Sequence, residues 1–114
     1  DPIVESVART GRLLTVDTGF RMFGIGAEIA SEVTSRCFDL LEAAPVRMGL
    51  PDHPTPSSRG LVRGFYPDAA GIARTAGEMM GIEDARISEV EEKILADRGD
   101  VPIDVPDPFF KGPF

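Results

Sequence analysis

The run Leu13-Leu14-Thr15-Val16 constrains this chain more than any other stretch. Side chains alternate between faces along a strand, so a run that is apolar at consecutive positions offers water no face. Such a strand belongs inside a parallel sheet, covered on both sides. Asp17-Thr18-Gly19-Phe20 is expected to break it. Gly24-Ile25-Gly26 then leads into a helix expected over about residues 27–42. There Ala27, Ala30, Val33, Cys37, Phe38 and Leu41 recur at spacings of three and four and form one apolar stripe. Glu28 and Glu32 occupy its early turns, where the positive end of the dipole favours carboxylates. Pro45 ends it. Val46, Met48 and Leu50 alternate with Arg47 and Gly49, so a second strand with one wet face follows. Strand, helix and strand together make a βαβ unit.

Flanking segments add helices. Ile3 to Arg9 has helical spacing, and Gly11 stands where a C-cap glycine belongs. Pro51-Asp52-His53-Pro54-Thr55-Pro56 carries too many prolines for a helix or an inner strand. Beyond Pro67 and Asp68, the residues Ala69, Ile72, Ala73, Ala76 and Met80 share a helical face, and Gly81 closes it. A third helix is expected from Ser88, in a capping box with Glu91, to near Gly99, with Glu89 and Lys93 as an i,i+4 pair. Residues 101–114 contain four prolines and read as an extended tail.

These elements leave a shortage. A sheet of two strands is marginal by itself in water. Leu13–Val16 also needs a neighbour on its other edge, so part of the sheet is expected to come from elsewhere. Apolar residues form 42% of the chain, enough for a packed core. One cysteine, Cys37, excludes an internal disulfide and suits a reducing cytoplasm, the expected location. No apolar run is long enough to span a bilayer. Asp1-Pro2 opens without a basic and then apolar stretch, so no secretory leader is expected, and the lack of an initiating methionine suggests a processed or excised piece. The net charge of −7 is uneven. Ten acids face eight arginines over residues 1–81, whereas nine acids face only Arg86, Lys93 and Arg98 over 82–107. An acidic surface repels phosphate backbones, which argues against nucleic acid as a partner.

Side chains with chemical potential mostly have ordinary explanations. Gly24-x-Gly26 lacks the third glycine of a dinucleotide loop, Ile29 standing in its place, and reads as close packing at a helix entry. His53 has no orienting group at a useful spacing. Cys37 lies on the apolar helix face and reads as a buried thiol. Ser57 and Ser58 have no partner base and read as turn residues. Asp17 and Glu28 read as a turn residue and a helix-start residue. One histidine, one cysteine and scattered carboxylates show no metal-ligand spacing. No catalytic, cofactor-binding or metal residue is therefore assigned. The candidates for partner contact are Arg59 and Arg63, which suit a carboxylate or phosphate, and Phe109, Phe110 and Phe114, large rings clustered on the tail.

Several stretches together carry a likeness: Thr10 to Gly19, Gly24-Ile-Gly-Ala-Glu-Ile-Ala30, Ala44-Pro-Val46, Asp52-His-Pro-Thr-Pro56 and Phe65-Tyr-Pro67. Their order resembles the C-terminal domain of the beta subunit of the decarboxylating component of 2-oxo acid dehydrogenases, a domain shared with transketolases. The likeness covers about residues 1–81 and leaves 82–114 as an acidic helix and Pro/Phe-rich tail. It implies a three-layer αβα domain with a mostly parallel sheet, entered here after its first βαβ segment and so N-terminally incomplete. It implies that thiamine diphosphate and magnesium sit in other parts of the assembly, with none bound by this chain alone. The partners implied are the remaining parts of the beta subunit, the alpha subunit and the dihydrolipoyl acyltransferase core, in an oligomer, with Phe114 a contact for the last. Two departures are notable: Thr18 stands where the family usually has a second acid, and Arg59-Gly-Leu-Val-Arg-Gly64 replaces a segment that commonly pairs a leucine with an acid.

The expected role is a non-catalytic part of such a dehydrogenase, serving subunit assembly and partner docking. The alternatives are a stand-alone binding or regulatory module that retains the fold, and a part of another transketolase-like enzyme.

Overall fold

The computed structural model describes residues 1–101. Helix α1 (Pro2–Thr10) opens with Asp1, whose carboxylate accepts from Ile3 N at 3.2 Å, and Pro2 takes a first-turn position where no N–H is needed. Gly11 ends it at φ +64°, donating its N–H to Val7 O. Strand β1 (Leu14–Phe20) follows, then α2 (Ile25–Cys37) and a 3₁₀ turn over Phe38–Leu40. Strand β2 (Val46–Leu50) pairs with β1 in parallel, as the βαβ reading requires. A short α3 (Arg59–Val62) leads to α4 (Ala69–Met79) and α5 (Asp84–Arg98). Among the described residues the sheet has two strands.

The layers follow from the strand period. Thr15 and Arg47 are register partners and share a face. A Cβ on Gly26 would stand 2.6 Å from Thr15 Oγ1 and 3.9 Å from Arg47 Cγ, so α2 lies on that face. Val16 and Met48 are the next partners and point the other way, where Gly71 of α4 meets Met48. Helices α1 and α2 therefore cover one side of the sheet, while α4 approaches the other with α5 behind it. This is the expected αβα arrangement. The core sits in the first layer: Val7, Leu13, Val33 and Cys37 are buried together, with Val4, Ile29, Ala30 and Leu41 packed around them. Arg36 ties α2 to the start of α1 through Asp1 at 2.6 Å.

Helices α4 and α5 fold against each other. Asp68 caps α4 by accepting from Gly71 N at 2.8 Å, and Gly81 at φ +69° turns the chain. Arg74 then clasps α5: its Nε donates to Glu91 at 2.8 Å, and its Nη1 reaches Asp84 at 2.9 Å. Arg12 joins this pair to the rest of the chain, Nε donating to Met79 O at 2.9 Å.

Several expectations need correction. β1 does not stop at Val16, because Asp17 folds its carboxylate onto Gly19 N at 3.1 Å while the backbone stays extended. The extra length is absorbed by a register shift between Val16 and Phe20. α2 ends at Cys37 rather than near 42, tightening into the 3₁₀ turn. β2 has no clearly wet face, since Val46 through Gly49 are all half-buried and Leu50 is buried. α5 begins at Asp84, four residues before Ser88, and the Ser88–Glu91 pair serves Arg74 instead of a cap. Glu89 pairs with Arg86, three residues earlier.

Candidate interaction surface

The long apolar ribbon is only half covered. Thr15 of β1 faces α2, whereas Val16 and Phe20 are 45% and 51% exposed. Among the described residues the strand is therefore not covered on both sides, in keeping with the expected shortage: α4 lies nearer β2, leaving the β1 half of its face open. Between β1 and α4 an apolar hollow of about 460 Å³ remains, lined by Leu14, Ala76, Met79 and Met80, with Arg12 and Thr10 at its rim. Among the described residues β1 also has β2 on one edge and no strand on the other. A parallel strand directs alternate peptide groups to each side, so that bare edge is a row of donors and acceptors suited to another strand.

The exposed apolar surface continues into the loop before α2. Met22, Phe23 and Ile25 are all largely exposed, Phe23 at 96%. Phe23 also takes φ +56°, a left-handed conformation uncommon for a residue with a side chain. Gly24 fixes the geometry, because a Cβ there would stand 2.2 Å from Phe20 O. The loop is thus held in a form that presents an aromatic ring to the outside. A connection before a helix is ordinarily polar, so Phe20-Arg-Met-Phe23 was the sequence signal for this surface.

The residues singled out in the sequence are dispersed. Arg59 starts α3 and Arg63 follows its end, both on the surface. Arg63 lines a cavity of about 610 Å³ with Leu95, Arg98 and Val101, against the end of α5, away from β1. Phe109, Phe110 and Phe114 lie outside the described residues. His53 is exposed, with Nδ1 3.1 Å from Pro54 O and its ring 5.2 Å from that of Phe65. Cys37 is buried, its Sγ 3.9 Å from Val4 O. Gly24 and Gly26 serve close packing, as expected. Among the described residues no three His, Cys, Asp or Glu side chains form a group able to hold a metal, and no helix is long and apolar enough to cross a membrane.

A βαβ unit covered by α2, its two-stranded sheet bare at both edges among the described residues, is the frame on which the comparisons with known proteins bear. The family profile described as transketolase, C-terminal domain, matches residues 1–72. The chain belongs to that family. Among curated relatives, the mitochondrial pyruvate dehydrogenase E1 component subunit beta of Saccharomyces cerevisiae is 37% identical over 84 residues, covering 73% of this chain and 23% of the yeast protein. The corresponding subunit of Pisum sativum is 41% identical over 74 residues, 65% of this chain and 21% of its own length. The acetoin:2,6-dichlorophenolindophenol oxidoreductase subunit beta of Cupriavidus necator is 37% identical over 81 residues, 70% of this chain and 24% of that protein. This transketolase C-terminal-type chain thus spans about a quarter or less of the curated relatives it matches. No solved structure matches it.

Proposed function

We propose that this chain is the C-terminal part of the beta subunit of a 2-oxo acid dehydrogenase, supplying scaffold and interface. The observation that carries this reading is the half-bare β1: an open edge, an uncovered face at Val16 and Phe20, and the Phe23 loop beside them. A strand from the rest of the beta subunit answers the edge. The Phe23 loop answers a neighbouring subunit, alpha or beta. That the relatives are named as subunits supports an oligomeric setting.

Thiamine diphosphate is the cofactor of the proposed assembly, held with magnesium. The carboxylates described here do not converge into a metal-holding group, so they do not fit that role, and no step of the decarboxylation is assigned to this chain. In this reading the dihydrolipoyl acyltransferase core is met by the tail that carries Phe114.

Light scattering on the purified protein tests the proposal. The expected mass exceeds that of one 12.3 kDa copy, and Val16→Asp or Phe20→Asp lowers it, because a carboxylate cannot enter a dry interface unpaired. A single copy that melts cooperatively, with the β1 amides protected from exchange, would overturn it.

A further inference from the structure

Arg21 and Arg47 lie close together on one flank of the sheet, next to the loop that follows β1. Arg21 follows β1 directly; Arg47 lies on β2 and runs toward it, its Nη1 donating to Arg21 O at 2.9 Å. Both line two adjoining cavities, of about 420 Å³ and 290 Å³. The smaller is walled by Met48, Tyr66 and Pro67, and Gly71 in the first turn of α4 reaches it.

The charges at this place are unbalanced in use. Asp52 and Asp68 also line the cavities, but each has an oxygen engaged by backbone: Asp52 accepts from Met22 N at 3.4 Å and Asp68 from Gly71 N at 2.8 Å. Among the described residues neither Arg21 nor Arg47 forms an ion pair, and the Arg21 side chain makes no hydrogen bond. Arg47 is half-buried and held by one nitrogen, which leaves donors of its fork available to a ligand. The walls of Met48, Tyr66 and Pro67 suit a short hydrocarbon stem.

We propose that Arg21 and Arg47 form a binding site for a small organic dianion, a phosphate ester or a dicarboxylate. The site borders the assembly surface, sharing Met22 with it, but uses neither the β1 edge nor the Phe23 ring.

Isothermal titration calorimetry of the full chain, with whatever subunits accompany it, tests this with inorganic phosphate and separately with succinate in low-salt buffer. Saturable binding of either supports the site; phosphate alone identifies a phosphate ester and succinate alone a dicarboxylate. Arg21→Gln and Arg47→Gln each weaken binding by about tenfold or more, since each removes charge-assisted hydrogen bonds. Arg86→Gln, on the distant surface of α5, leaves it unchanged. Should Arg47→Gln unfold the chain, the exposed Arg21 still decides. Absence of binding to both anions, or equal loss in Arg86→Gln, overturns the proposal.

Discussion

A Cβ added to Gly77 would stand 2.8 Å from Ile87 Cγ1 and 2.9 Å from its Cδ1. Both residues are buried, so α4 and α5 touch there with no room for a methyl group. Gly77→Ala gains about 1 kcal/mol of helix propensity but forces the branched Ile87 off its packing, typically about 1–3 kcal/mol. The net expectation is a loss of about 1 kcal/mol, read from the midpoint of urea unfolding, with the weakest hydrogen-exchange protection in α5.

Thr15 offers a gain. Its Oγ1 is buried beneath α2 with no hydrogen-bond partner. Valine fills the same shape without an orphaned hydroxyl, so Thr15→Val should stabilise the chain by about 1 kcal/mol. Unfolding midpoints of the two proteins check this, and a loss of stability would point to a bridging water at the site.

Val33 is 1% exposed at the centre of the α1–α2 core. Truncation to alanine leaves a void among Val7, Leu13 and Cys37, with an expected cost of about 2 kcal/mol. The same variant should speed the labelling of buried Cys37 by a thiol reagent, because that core must open for access.

The Arg74 clasp predicts a pH response by its sign. Hydrogen bonds donated to Glu91 first and Asp84 second hold the guanidinium above its ordinary pKa. A group with a raised folded pKa contributes stability that is complete below its unfolded value and lost only as pH rises beyond that value. For arginine that window lies above the working range, so α5 should stay docked through any alkaline titration the chain survives. Circular dichroism from neutral pH to about pH 10 measures this. Arg74→Gln should loosen α5 at every pH in that range, seen as faster amide exchange in the helix.

How much of this was readable in advance depended on how local each cause is. Gly11, Asp68 and Gly81 act on their own turns, so the ends they mark appear where expected. The stripe through Val33 and Cys37 and the pairing of β2 with β1 follow from side-chain periodicity. The start of α5 was hidden because Ser88 and Glu91 imitate a cap, while their real partner, Arg74, stands fourteen residues before Ser88. Asp17-Thr18-Gly19 reads as a break by composition and is extended in space because one carboxylate satisfies a nearby amide. The candidate surface was least legible. Apolar residues in a strand announce that they are to be buried and say nothing of whose atoms bury them, so Val16 looked like core, while Phe20 was read as part of a break. Arg59 and Arg63 were chosen for flexibility of their surroundings; Arg21 and Arg47 come together only through the sheet.

Between the pairs Val16–Met48 and Phe20–Leu50, β1 advances by four residues while β2 advances by two. The surplus is even, so parity survives the slippage and Phe20 emerges on the same side as Val16. Deleting Thr18 alone would make the surplus odd. Phe20 would rotate under α2, Arg21 would swing away from Arg47, and the outward aromatic and the cationic pair would vanish in one stroke.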